Sequence, residues 1–544
     1  VKAADLLVRC LEQEGVEYVF GLPGEETLDV MDALSRSRIR FILVRHEAGA
    51  AFMAGVYGRL TGRAGVCLST LGPGATNLVT GVATAYLDHA PLVAITAQAA
   101  LDRAHKESHQ YVDIRGILRP VTKWGARVES PEVIPEVVRT AFKLAEAEHP
   151  GPTHIELPEG LPDVSGPRFP PPAVPGRYPA PDPQAIHNAV RLIDSAQRPV
   201  IIAGHGVIRR NAAAQLTALA AKRGMPVVQT FQGKGAIDDR HPMALQAIGL
   251  LWRDLAMEVL EAADLVVAVG YDLVEYPPYR WNPANDKELL HIGTFPAEVD
   301  EHYTPSEEVV GDLPPALGAL AEGISPRPAW DFASLRAAIR GELEAAAEDP
   351  DVSGPVKPQR LVADLRRALS EDSILVSDVG AHKLWLARMY PAYQPNNIVI
   401  SNGLASMGIG LPGAIAAKLA YPRRQVVAVV GDGGLLMTAQ EMETARREHI
   451  PVVCVVWADG GYGAIEWKAR LKYGEAFGVR FSNPDFVQFA HSFGWEATRT
   501  ERAHDFLPAL QQALHRDACT LIEVPVDYEE NLALTRRLES RARG

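Results

Sequence analysis

The chain has 544 residues, 47% of them hydrophobic and 22% charged, which excludes a small module and a mainly disordered chain. At roughly 150 residues per domain, three or four domains are expected. The net charge of −13 repels phosphate polymers and anionic membranes, and no basic patch reverses it, so nucleic acid and membrane surfaces are not expected partners.

Positions 1–11 interleave Lys2, Asp5 and Arg9 with apolar residues and read as an amphipathic helix, not a signal peptide. Short β-branched runs then alternate with helical patterns, at 40–44, 66–69, 92–96, 199–202, 265–269, 374–377, 425–430 and 451–457. That alternation predicts parallel sheets covered by helices, an α/β fold. Two stretches interrupt it: 163–184, crowded with prolines that include Pro167, Pro170 and Pro175, and 324–358, which holds proline, acidic and small residues around one helix. Cutting there predicts three doubly wound parallel-sheet domains, 1–165, 185–325 and 357–544, the outer two alike in size and rhythm. The weakly polar run 403–417 is rich in glycine and broken by Pro412, a poor membrane span. Cys10, Cys67, Cys454 and Cys519 lack metal-ligand or disulfide spacing, so a soluble, cytoplasmic protein is expected.

The strand 425–430 runs into Gly431-Asp432-Gly433-Gly434, followed by a helix over 437–448 and a strand that leads to Ala458-Asp459-Gly460-Gly461. Consecutive parallel strands end on one edge of a sheet, so both acidic turns fall in the crevice where open α/β sheets bind ligands. Glycines permit close backbone approach, and a helix N-terminus favours an anion such as phosphate. Hard carboxylate oxygens beside a phosphate suit Mg²⁺ or Ca²⁺.

The two aspartates, 27 residues apart, resemble the thiamine diphosphate motif, Gly-Asp-Gly followed by an Asn or Asp, with Ala458 where the family often has Asn. The resemblance implies that Asp432, Asp459 and the Gly461 carbonyl hold Mg²⁺ at the cofactor's diphosphate, beside Gly433 and Gly434. Arg45-His46-Glu47, followed by the small residues Ala50, Ala51, Ala54, Gly55 and Gly58, resembles the family segment whose Glu protonates the aminopyrimidine ring. The resemblance implies that role for Glu47. Gly72-Pro73-Gly74-Ala75-Thr76-Asn77 resembles a cofactor-touching loop, which places Pro73 and Asn77 in the site. Asp378-Val379-Gly380-Ala381-His382 resembles the stretch in which Gly380, Ala381 and His382 hold the diphosphate. The stretch 403–408 matches the one whose bulky side chain, Met407, props the cofactor in a V shape while the Ala405 carbonyl accepts from its amino group. Tyr462 is expected to line the pocket. The family has pyrimidine-binding, central and diphosphate-binding domains, and its active sites lie between subunits, implying a homodimer or homotetramer.

Within the family, His109-Gln110, Asp113 and Pro120-Val121-Thr122-Lys123 are similar to the substrate loop of FAD-independent, catabolic-type acetolactate synthases, which implies that His109 and Gln110 position substrate. The tandem His pair of aldehyde-releasing decarboxylases is absent. The stretch 270–276, with Trp281-Asn282, looks like the same branch, and its Asp272 and Glu275 are poor company for a flavin's phosphates. FAD is therefore not expected, although Gly204-His205-Gly206 has the look of a dinucleotide turn. By position Ile465 packs against the substrate's alkyl group, and Lys468 stands where FAD-containing synthases place a Trp. The implied reaction is decarboxylation of pyruvate and its ligation to a second pyruvate, giving 2-acetolactate and CO2. Another thiamine diphosphate-dependent 2-keto acid decarboxylase or aldehyde carboligase is the alternative. A non-catalytic nucleotide-binding paralogue is disfavoured by intact Glu47, Asp432 and Asp459.

Overall fold

The computed structural model describes residues 1–164, 168–174, 176–250, 253–348 and 354–543. Ser165, Pro167 and Pro175 of the proline-rich stretch, and positions 349–353 of the second one, lie outside the described residues.

The chain builds three six-stranded sheets, every pairing within them parallel. The first contains β1 (Tyr18–Gly21), β2 (Arg40–Leu43), β3 (Gly65–Ser69), β4 (Leu92–Gln98), β5 (Trp124–Arg127) and β6 (Pro152–Pro158), in the order β2-β1-β3-β4-β6-β5. The second contains β7 (Pro199–Ala203), β8 (Val227–Thr230), β9 (Ala244–Ile248), β10 (Leu265–Val269), β11 (Glu288–Gly293) and β12 (Glu307–Val310), in the order β12-β11-β10-β7-β8-β9. The third contains β13 (Ile374–Ser377), β14 (Ile398–Ile400), β15 (Val426–Gly431), β16 (Val453–Ala458), β17 (Glu496–Arg499) and β18 (Thr520–Pro525), in the order β14-β13-β15-β16-β18-β17. The outer sheets thus share one strand order. The central sheet instead turns back between β7 and β10.

Each predicted β-branched run falls in a strand, with ends displaced by at most two residues. The central strands read as continuous apolar runs because helices cover both faces, as in β15 with its buried Val-Val-Ala-Val-Val. The edge strands β5 and β17 carry no such signal: they are half exposed and include charged residues. The helix expected over 437–448 is two helices, Asp432–Thr438 and Glu441–Arg447. The first begins at Asp432 itself. The break carries Glu441 toward the first domain, where its buried carboxylate accepts from the backbone N–H of Arg45 and His46 at 3.1–3.3 Å.

The small-residue face of the helix Glu47–Thr61 lies against two other helices, Pro73–Leu87 and Gly410–Ala420. A Cβ placed on Gly81 would stand 2.4 Å from the Cβ of Ala51, and one on Gly413 would stand 3.1 Å from Val56. This packing joins the first and third domains in one apolar core and fixes where Glu47 sits. Among the described residues no helix is long and apolar enough to cross a membrane. Overpacking of a tight core costs about 1–3 kcal/mol, so Gly81→Ala is expected to lower the denaturation midpoint and to weaken cofactor binding by displacing Glu47 and Asn77. Chemical denaturation and a cofactor titration check both.

Candidate cofactor site

In the third sheet the chain leaves β13 toward one edge and β15 toward the other, which opens a crevice at the carboxyl ends of these two strands. β15 and β16 pair with Val430 opposite Val456 and Gly431 opposite Trp457, so their ends are nearly level. Asp432 and Asp459 emerge there together. Asp432 is 1% exposed. Its Oδ2 accepts from the N–H of Asp459 at 3.0 Å, the N–H of Gly460 at 2.7 Å and the amide of Asn483 at 2.8 Å. Its Oδ1 accepts from the N–H of Gly433.

Asp459 is treated differently. Its Oδ2 is buried and accepts no hydrogen bond, with the Arg480 guanidinium 3.8 Å away, and burial together with the charge of Asp432 pushes its pKa up to about 7. Arg480 opposes this, with Nη1 donating to the Asp459 carbonyl at 2.7 Å. One buried and one half-buried carboxylate at the ends of adjacent strands, the second with an oxygen that accepts no hydrogen bond, form a set that suits a hard divalent cation. The Gly460 carbonyl is committed to the N–H of Phe481, and Gly461, the third expected ligand, is buried beside Arg480.

The wall opposite is formed by the residues after β13. His382, on the helix Ala381–Met389 that follows Gly380, is 2% exposed and leaves its Nε2 without a partner. Burial lowers its pKa to about 3, so the ring is neutral, and it stands 3.4 Å from where a Cβ on Gly431 would be. Asp378 accepts at Oδ1 from the N–H of Val379 and of Gly408, both at 2.8 Å, while its buried Oδ2 is unpartnered and lies 2.3 Å from where a Cβ on Gly434 would be. Burial pushes Asp378 up to about 7. A Cβ on Gly433 would come within 3.0 Å of the Tyr462 ring. Unpartnered buried polar atoms are rare in folded proteins. Here three of them, on Asp378, His382 and Asp459, sit at the ends of neighbouring strands, which fits a polyanionic ligand with its cation.

The stretch carrying Met407 is bolted to this wall. Gly408 donates to Asp378, as above, and its carbonyl accepts from the Thr438 hydroxyl at 2.8 Å. Ala405 adopts a left-handed backbone, φ 55°, a conformation that costs a non-glycine residue of order 1–3 kcal/mol. Met407 itself is half-buried.

A second group gathers at the carboxyl edge of the first sheet. Glu47 opens its helix, 6% exposed, with His46 as the N-cap accepting from Ala48 N–H. The Asn77 amide donates to Glu47 Oε2 at 2.9 Å, and a Cβ on Gly74 would lie 3.1 Å from Oε1. Pro73 starts the helix that carries Asn77, and a Cβ on Gly72 would strike the Gln110 carbonyl at 2.6 Å. Glu47, Pro73, Asn77 and Gln110 are therefore brought to one edge. His109 and Gln110 are exposed, on a loop tied down by the Gln98 amide donating to the Val112 carbonyl at 3.0 Å. No hydrogen bond or ion pair among the described residues joins this group to the Asp432 group. Tyr462, Ile465 and Lys468 are exposed on the third-domain half, the last two sharing one face of the helix Gly463–Tyr473.

Three residues in this machinery have no role in the sequence reading. Asn483 lies in a Ser-Asn-Pro-Asp turn and is brought to Asp432 only by the fold. Asp378 belongs to a quoted motif, yet only its burial and its bond to Gly408 reveal it as a brace. Glu441, inside the expected helix, turns out to cap another domain's helix.

Residues 1–117 match the thiamine pyrophosphate enzyme N-terminal TPP binding domain, 186–320 the central domain and 378–524 the C-terminal TPP binding domain. The chain belongs to the thiamine pyrophosphate enzyme family. It is 34% identical to the acetolactate synthase of Bacillus subtilis (strain 168), over 98% of this chain and 94% of that one. Identity to the catabolic acetolactate synthase of Raoultella terrigena is 36%, over 98% and 97% of the two chains. A probable acetolactate synthase large subunit of Methanocaldococcus jannaschii is also 36% identical, over 98% of this chain and 93% of its own. In this thiamine pyrophosphate enzyme, the amide of Asn483 is one of three donors that fill Asp432 Oδ2. A hydrogen bond to a charged group is worth about 1.5–3 kcal/mol, so Asn483→Ala is expected to weaken metal-dependent cofactor binding by roughly ten- to a hundredfold while the circular dichroism spectrum stays unchanged. Fluorescence titration with thiamine diphosphate and Mg²⁺ measures it.

Proposed function

We propose that this enzyme is an acetolactate synthase of the FAD-independent, catabolic type, acting on pyruvate in the cytoplasm as a homodimer or homotetramer. The observation that carries the reading is the buried Asp432–Asp459 pair with its unpartnered oxygen, on a chain similar to acetolactate synthases over nearly its whole length. The domain division 1–165, 185–325 and 357–544 is part of the reading and gives one sheet to each domain.

Thiamine diphosphate supplies the nucleophilic carbon and the electron sink that decarboxylation of a 2-keto acid requires. The chain holds and orients it. Asp432, Asp459 and the Gly461 carbonyl are the ligands proposed for Mg²⁺, and Asp459 binds as the carboxylate once the cation offsets the charge that raises its pKa. Gly380, Ala381, His382, Gly433 and Gly434 receive the diphosphate. Met407 props the cofactor and the Ala405 carbonyl accepts from its amino group. The Asp378 brace at Gly408 keeps both in place. Glu47 holds a proton at the pyrimidine ring nitrogen, and the Asn77 amide orients its carboxyl group. Pro73 and Tyr462 line the cofactor. Gln110 and His109 position the substrate, with Ile465 and Lys468 at its alkyl end. Two half-sites on one chain support active sites built between chains, Glu47 of one facing Asp432 of the next.

The central domain supports a reaction without FAD. In the turn after β7, where a dinucleotide phosphate would meet backbone N–H groups, the His205 N–H is already bonded to both carboxylate oxygens of Glu275 at 3.0 and 3.1 Å. Side chains on Gly204 or Gly206 would collide with the backbone of Gly270. The glycines serve contact between turns.

The test is incubation of flavin-free protein with pyruvate, thiamine diphosphate and Mg²⁺, with quantification of all products. 2-Acetolactate and CO2 in equal amounts are expected. Acetaldehyde as the main product, or a strict need for FAD, would overturn the reading.

A further inference from the structure

At the turning point of the central sheet the first domain leans on the second, and three side chains from distant parts of the sequence meet. His89 follows the helix Pro73–Leu87, His149 precedes β6, and Asp272 follows β10. His149 Nε2 lies 3.1 Å from Asp272 Oδ1, and His89 Nε2 lies 3.8 Å from Asp272 Oδ2. The imidazole rings stack with centroids 4.7 Å apart, and the three ligand atoms all fall within 4.8 Å of one another. A tetrahedral ion with bonds of about 2.0–2.1 Å sets its ligand atoms roughly 3.3 Å apart, so small side-chain adjustments close the set.

We propose that His89, His149 and Asp272 bind a divalent transition ion of the zinc class, which clamps the first domain to the central one. No role in the thiamine reaction engages these residues. Two imidazoles and one carboxylate favour zinc, cobalt or nickel over Mg²⁺, which prefers an all-oxygen shell. The site therefore differs chemically from the Asp432–Asp459 pair.

The surroundings suit an ion. Arg209 donates to Asp272 Oδ2 at 3.1 Å, which fixes the carboxylate with Oδ1 toward His149, and the same guanidinium bonds Glu148 at 2.8 Å. Such outer partners orient metal ligands. Side-chain exposures of 22% for His89 and 28% for His149 leave the ion a way in. A small cleft lined by His149, Asp272, His291 and Tyr303 among others adjoins the set on the His149 side.

The experiment uses tag-free, chelator-stripped enzyme with Mg²⁺ and thiamine diphosphate present throughout, titrated with Zn²⁺ or Co²⁺. One Zn²⁺ per chain by elemental analysis, a raised thermal denaturation midpoint and a visible Co²⁺ ligand-field absorption are expected. His149→Gln and His89→Gln should each keep the midpoint seen with Mg²⁺ alone yet bind Zn²⁺ about a hundredfold more weakly and lose the cobalt band. Absence of stoichiometric Zn²⁺ in the wild type, or equal stabilisation of wild type and both variants, would overturn the proposal. Should either substitution disturb folding, the wild-type cobalt spectrum decides by itself, since a purely octahedral, weakly absorbing Co²⁺ signal contradicts a site of this kind.

Discussion

Everything at the proposed active site depends on keeping two carboxylates out of water at the ends of adjacent strands. Two like charges about 4 Å apart repel by roughly 4 kcal/mol at the effective dielectric of a protein. The fold does not share that cost evenly. Asp432 collects four hydrogen bonds from Gly433, Asp459, Gly460 and Asn483. Asp459 keeps one oxygen unpartnered and has its pKa raised to about 7. A divalent cation removes the imbalance, and the unpartnered His382 Nε2 and Asp378 Oδ2 stand ready across the same crevice. The site is an unfinished polar cluster, and the proposed ligand that finishes it is the cofactor with its metal.

The second dependence is mechanical. The outer sheets repeat one strand order, and the helix that starts at Glu47 presses its small-residue face on helices of both domains. Glu441, carried by the helix just after the one that begins at Asp432, caps the backbone of Arg45 and His46. The N-terminus that presents Glu47 is thus held by the helix that directly follows the one beginning at Asp432. Packing within one chain positions each group, and in the proposed assembly a second chain supplies the other.

How much of this the sequence discloses follows from the range of the interactions. Buried central strands such as β13, β15 and β16 read directly because both faces are apolar, whereas β5 and β17 lie at sheet edges and read as loops. Asp432 and Asp459 are legible because each directly follows such a strand, and parallel strands end together. Asn483 is not, since a long excursion returns it to Asp432 and nothing in Ser-Asn-Pro-Asp marks the destination. The expected helix 437–448 fails at Ala439 and Gln440 because the contact of Thr438 with Gly408 in its own domain and that of Glu441 with the first domain decide its course. Asp272 and Glu275 read only as acidic neighbours unwelcoming to a flavin. The fold shows Glu275 seated in the turn itself and Asp272 beside two histidines from another domain.

The central claim is that each working site takes Glu47 from one chain and Asp432 from another. Complementation tests it most directly: Glu47→Gln and Asp432→Asn chains, each inactive alone, are unfolded together, refolded as mixed oligomers and assayed for acetolactate. A mixed assembly pairs an intact Glu47 with an intact Asp432 across one interface, so the account predicts that activity reappears well above either parent. Activity no higher in the mixture than in the separate variants, with mixed oligomers confirmed by mass spectrometry, would contradict it and place the whole site within one chain.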